Sequence, residues 1–111
     1  MSNFAIQSIQ TLEALQEALE NISALEDADI DLIDGVLTIE FENGAQLIIN
    51  RQEAAAQIWL SSILGPGHFG YDAEKNAWIN DRDGRELIET LAEALTRSTG
   101  QTVTPDDLRA S

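Results

Sequence analysis

Cysteine is absent, histidine occurs once, and no Lys or Arg stands before Arg51. Each absence removes a class of chemistry. Without Cys there is no disulfide, no thiolate nucleophile, no Cys-based zinc site and no ligation of an iron–sulfur cluster by this chain. A lone His68 rules out a His-rich metal site within one chain. Six basic residues against 20 acids argue against nucleic acid, because phosphate contacts need Lys and Arg clusters. Anionic membranes are disfavoured for the same reason. No apolar run approaches the ~18 residues needed to cross a bilayer. The N-terminus has neither a basic segment nor an apolar one of signal-peptide type, and its acidity is the reverse of a transit peptide. The expectation is a cytoplasmic (bacterial) protein, or a mature organellar form lacking its transit peptide.

What is present is mostly acid and aliphatic. The net charge is −14, and ten acids with no base occupy the first fifty residues. They are Glu13, Glu17, Glu20, Glu26, Asp27, Asp29, Asp31, Asp34, Glu40 and Glu42. Crowded like charges repel and work against the compact state, so the field there is expected to serve a cation or a basic partner. The apolar fraction of 43% supports a folded globule, and 111 residues predict one domain, 1–111, with one core.

Periodicity orders the chain. Ala5, Ile9, Leu12, Leu15, Leu19 and Ile22 recur every three or four residues, which predicts a helix from about Asn3 to Ile22. Ala28, Ile30 and Leu32 then alternate with Asp27, Asp29 and Asp31, a strand with one wet face. Asp34-Gly35 predicts a turn, Leu37 to Glu42 a strand, Asn43-Gly44 a two-residue hairpin, and Leu47 to Asn50 the next strand. Arg51–Ala56 reads as a connector. In Gln57–Ser61, Ile58 and Leu60 point to the core and Trp59 to the other face. Gly65-Pro66-Gly67 reads as a loop, followed by strands around Phe69–Tyr71 and Ala77–Asn80. Asp83, three residues before Glu86, predicts the start of a second helix with a capping box, carrying Leu87, Ile88, Leu91, Ala94 and Leu95 and ending at Gly100. Thr104-Pro105 predicts a short terminal turn. The fold class is α+β: an α-β-α two-layer sandwich, two helices on one face of a five- to six-stranded antiparallel sheet.

Two groups of residues carry candidate chemistry. The first helix and first strand are consecutive and so expected to be neighbours. That would set Glu13, Glu17 and Glu20 beside Asp27, Asp29 and Asp31. Carboxylates are hard ligands suited to Fe²⁺, Fe³⁺, Mn²⁺, Ca²⁺ or Mg²⁺. With no His and no closed cage, the sites are expected to be weak, exposed and multiple. The competing reading is a solvated surface that only keeps the protein soluble. The Asp-x-Asp-x-Asp run is no EF-hand, since Leu32 and Thr38 stand where Gly and Glu are required. The second group centres on Trp59, a large aromatic on a wet strand face, as at binding hot spots. Asn50, Arg51, Gln52 and Gln57 are close enough in sequence to form its polar rim. The competing reading reverses the parity and buries Trp59. Trp78 is read as structural, although Ala77 and Ile79 offer an alternative core pair. His68 is read as a surface residue rather than a ligand or catalytic group. No nucleophile–base pair, zinc-protease motif or dinucleotide fingerprint is found, so the chain is not read as an enzyme.

The blocks Gly35-Val36-Leu37-Thr38-Ile39, Ile49-Asn50-Arg51-Gln52 and Gln57-Ile58-Trp59-Leu60-Ser61-Ser62 resemble the frataxin family. Gly65-Pro66, His68-Phe69, Trp78-Ile79 and Asp83-Gly84 continue the resemblance in order, over about residues 4 to 100. It implies an α-β-α sandwich that binds iron weakly through carboxylates of the first helix and strand. It also implies contacts with the cysteine desulfurase and scaffold protein of iron–sulfur cluster assembly, as iron donor or regulator. By position, Glu13, Glu17, Glu20, Asp27, Asp29 and Asp31 would form the acidic ridge. Asn50, Arg51, Gln52, Gln57 and Trp59 would form the sheet-surface partner patch. A monomer is expected. An acidic interaction module with incidental iron binding is the alternative, and any ferroxidase activity would be secondary, since no Glu-x-x-His di-iron motif is present.

Overall fold

A computed structural model describes residues 3–109. Helix α1 (Asn3–Glu20) leads through a 3₁₀ turn (Ser23–Leu25) into six strands: β1 (Asp29–Ile33), β2 (Val36–Glu40), β3 (Gln46–Gln52), β4 (Gln57–Ser62), β5 (Gly65–Asp72) and β6 (Ala77–Asn80). Helix α2 (Leu87–Thr99) and the short α3 (Pro105–Arg109) close the chain. The strands lie in sequence order, each antiparallel to the next. α1 packs on β1 and β3, α2 on β6, and α3 against both longer helices. This is the expected two-layer sandwich with six strands.

One face of the sheet makes the core. Leu37, Ile39, Leu47, Ile49, Ile58, Leu60, Phe69 and Trp78 point to the helices and are buried. They meet Leu12, Leu15 and Leu19 of α1 and Leu87, Leu91 and Leu95 of α2. Each such aliphatic side chain contributes about 1.5–3 kcal/mol on burial. The α1 stripe is rotated from its predicted line: Ile9 is exposed, while Ser8 is buried and donates its hydroxyl to Ala5 O. Val103 and Leu108 are buried, and Thr104 and Asp107 cap α3 reciprocally.

Trp78 faces the core, with 6% of its surface exposed. Its indole N–H donates to Thr11 Oγ1 at 3.0 Å, and its ring meets Phe4 and Tyr71 edge-on. The pairing of Tyr71 with Trp78 sets this parity and leaves Ile79 facing away.

Several local expectations are corrected. The β2–β3 loop is not a two-residue turn: Gly44 N–H donates to Phe41 O, placing Glu42 and Asn43 at the turn centre. Gly44 follows at φ 89, so the turn is the three-residue type closed by a left-handed residue. β3 continues through Arg51 to Gln52, which pairs with Gln57. Gly65-Pro66-Gly67 is not a loop but the start of β5, paired with Ser62, Ser61 and Leu60. Proline fits there because β6 pairs only from Phe69 onward, so this end of β5 is an edge. Gly67 faces the core, where an added Cβ would stand 2.6 Å from the Phe69 ring.

The Asp83–Glu86 capping box also fails to form. Asp83 accepts the Arg85 N–H in a turn, and Glu86 is extended and bridges back to Ile79. That bridge covers part of the β6 edge and delays α2 to Leu87.

Candidate functional site

The outer face of the sheet follows from the same alternation. Ile30 and Leu32 turn toward the helices, so Asp29, Asp31 and Ile33 turn away from them. Register then builds rows across the face. Ile33 stands opposite Val36, Val36 opposite Asn50, Asn50 opposite Trp59, and Trp59 opposite His68. Asp31, Thr38, Ile48, Ser61 and Pro66 form the next row, and Asp29, Glu40 and Gln46 a third. On the other side of Trp59, Gln52, Gln57, Gly70 and Ile79 line up.

Trp59 is half-buried on this face, as its parity predicted. Its indole N–H donates to Gln57 Oε1 at 2.9 Å. The Gln57 amide in turn donates to Asp81 Oδ2 at 3.0 Å. The His68 ring lies 4.5 Å from the Trp59 ring, centre to centre, at 31°. Asn50, Gln52 and Gln57 therefore do surround Trp59. Arg51 does not: it pairs with buried Ile58 and lies on the helix side, its stem over Gly35 and its guanidinium 3.7 Å from Glu53. The four-residue rim predicted from sequence proximity loses its one cation to strand parity.

The acids are also rearranged. Glu13, Glu17 and Glu20 are exposed on α1, with Glu13 bordering a groove beside Leu32, Asp34 and Gly35. Asp27 lines a separate groove with Glu42, Asn43, Ser98 and Thr99. Asp29 and Asp31 line a third depression, on the outer face, with Thr38, Val36 and Glu40. The strand that adjoins α1 sends Ile30 and Leu32 toward the helices and Asp29 and Asp31 to the outer face, while Glu13, Glu17 and Glu20 stand exposed on α1. Among the described residues no three Asp, Glu or His side chains form a group that could hold a metal ion. Pairs do form: Asp29 and Glu40 face each other directly across β1 and β2. Glu40 was not read as a site residue, although its alternation with Leu37 and Ile39 carried the signal.

No basic side chain pairs with any acid before Arg51 among the described residues. The later acids differ. Glu93 bridges Arg85 at 2.8 Å and Arg97 at 3.4 Å, and Glu86 meets Arg109 at 2.6 Å. Among the described residues, the N-terminal carboxylates face solvent without internal counterions. His68 and Asp81 are the further members of the site. Reading Gly65–Gly67 as strand would have set His68 opposite Trp59.

Comparison with known proteins places this arrangement. A frataxin-like domain matches residues 1–101. The iron–sulfur cluster assembly protein CyaY of Thioalkalivibrio sulfidiphilus is 54% identical over 101 residues, covering 91% of this chain and 94% of that one. Frataxin from Psychromonas ingrahamii superimposes with a TM-score of 0.70 at 34% identity, over 92% of this chain and 90% of that one. A trimeric frataxin of Saccharomyces cerevisiae, complexed with ferrous iron, gives a TM-score of 0.56 at 30% identity over 89% and 84%. A six-stranded meander under two helices, an outward Trp among amides and a matching domain over nine-tenths of the sequence agree: the chain belongs to the frataxin family.

Proposed function

We propose that this chain serves iron–sulfur cluster assembly by binding Fe²⁺ loosely and docking on the cysteine desulfurase–scaffold complex, as iron donor, regulator or both. The observation that carries the reading is the composition of the outer sheet face. Trp59 and its amides share that face with Asp29, Asp31 and Glu40, none of which has a counterion among the described residues. The relatives' names support the cluster-assembly role, and the ferrous complex of the yeast relative supports iron as cargo.

The mechanism is electrostatic. Carboxylate oxygens are hard donors suited to Fe²⁺ and Fe³⁺. Exposed pairs such as Asp29 and Glu40 offer few ligands, so water completes the coordination and the ion leaves easily. A carrier that must give up its cargo gains from that. The same carboxylates attract a basic partner surface and raise its association rate. Trp59 lies three strands from Asp31 and one row along, roughly 16 Å at the usual strand spacing and rise. A partner on this face would therefore present an apolar contact and, about that far away, basic groups. The acids of α1 (Glu13, Glu17 and Glu20) face a second direction and suit a separate basic surface.

One observation favours a second reading. Because no three of the described acids form a group that could hold a metal ion, the chain would act as an acidic docking module to which iron binding is incidental. An anaerobic Fe²⁺ titration of ¹⁵N-labelled protein separates the two. Amide broadening confined to residues 13–42 is expected for the iron-binding reading. Absence of localised broadening at millimolar iron would overturn it and leave the docking module.

A further inference from the structure

An exposed Trp on a strand is free to change rotamer, and a partner that grips it must first immobilise it. Trp59 is not free in this way. Asp81, just beyond β6, is tied to β5 by its own N–H, which donates to His68 O at 2.9 Å. Its carboxylate stands against the Gln57 amide. An ionised carboxylate only accepts hydrogen bonds. It therefore draws the Gln57 NH₂ group toward itself and leaves the Gln57 oxygen pointing the other way, at the indole N–H of Trp59. With the amide reversed, oxygen would face carboxylate and donor would face donor. The cross-strand His68 ring covers one face of the indole.

We infer that Asp81 is a positioning residue for Trp59, acting through Gln57, and that with His68 it presents the indole to a partner as a fixed apolar surface whose N–H is already satisfied. This rests on the proposed docking role of the Trp59 face. Two consequences distinguish it from mere surface packing. First, the indole N–H is spent on Gln57, so a partner gains nothing from an acceptor aimed at it. Trp59→Phe should then keep most of the affinity that Trp59→Ala loses. Second, removing the acceptor at position 81 should loosen a ring it does not touch. Re-immobilising one side chain on docking weakens binding by roughly two- to tenfold.

The test uses the indole Hε1–Nε1 resonances. The chain has two Trp residues, and Trp78, bonded to Thr11, serves as internal reference for an intact fold. In Asp81→Ala the Trp59 resonance should shift and exchange faster with solvent while that of Trp78 stays in place. Asp81→Asn, which keeps an acceptor oxygen, should restore the Trp59 signal. Scaffold protein should bind Asp81→Ala roughly two- to tenfold more weakly. A Trp59 resonance unchanged in Asp81→Ala would overturn the positioning role, as would a shifted resonance with unchanged scaffold affinity. Scaffold binding unaffected by Trp59→Ala would instead overturn the docking reading, whatever the resonance of the indole.

Discussion

The two faces of one sheet, built from the same strands, carry opposite kinds of residue. On the helix side Leu37, Ile39, Ile49, Ile58 and Phe69 are fully buried, and the one Trp has its N–H bonded inside. On the outer side Ile33 is 62% exposed, Val36 is 38% exposed, and Trp59 stands half-buried among Asn50, Gln52 and Gln57. Both Trp residues have a satisfied N–H, but Trp78 is closed in by the rings of Phe4 and Tyr71, while Trp59 meets the His68 ring. Position in the pleat, not residue type, decides whether an aromatic is closed into the core, as Trp78 is, or stands half-buried on the outer face, as Trp59 does. Charge follows the same division: the acids of β1 and β2 leave the core side and collect on the face that holds Trp59.

Substitutions on the two faces should separate stability from recognition. The largest loss is expected for Trp78→Ala, which empties a core site and removes the partner of Thr11. It should destabilise the fold by about 3–5 kcal/mol in urea unfolding. A loss below about 1 kcal/mol would place Trp78 outside the core. Gly67→Ala comes next, because its methyl group would press on the Phe69 ring. About 1–3 kcal/mol should be lost by thermal unfolding, and an unchanged midpoint would mean that the Phe69 ring moves aside freely. The smallest effect has the opposite sign. Asp29 faces Glu40 across the strands, a like-charged pair, so Asp29→Asn should stabilise the chain by about 0.2–1 kcal/mol at low salt. Added salt should shrink that gain, since both groups are exposed and screened. A gain that survives high salt would assign it to something other than repulsion.

Much of this architecture was legible in the sequence because alternation and helical spacing are strong signals. The α1 helix, the β1 alternation and the outward turn of Trp59 follow from residue spacing and the Thr104-Pro105 cap from residue type, although the α1 face is rotated so that Ser8 and not Ile9 is buried. Where two apolar choices were one residue apart, spacing could not decide. Trp78 and Ile79 were such a pair, and the pairing of β5 with β6 settled it. Proximity along the chain misled at Arg51. Consecutive elements do adjoin, but adjacency does not say on which face their side chains emerge. Arg51 left the Trp59 rim because β3 runs two residues further than its apolar alternation, and parity carries through those residues. Glycine and proline read as a loop at Gly65–Gly67, where the edge of a strand tolerates both.

If the outer face recognises a partner while the inner face holds the fold, Trp59 is needed for binding and dispensable for folding. Titrating the scaffold protein into the parent chain and into Trp59→Ala, with the unfolding midpoint measured on the same samples, tests it most directly. Affinity should fall roughly thirtyfold or more, as for a hot-spot residue, with stability lower by no more than about 1 kcal/mol. Unchanged affinity, or a fold that collapses with the substitution, would contradict it.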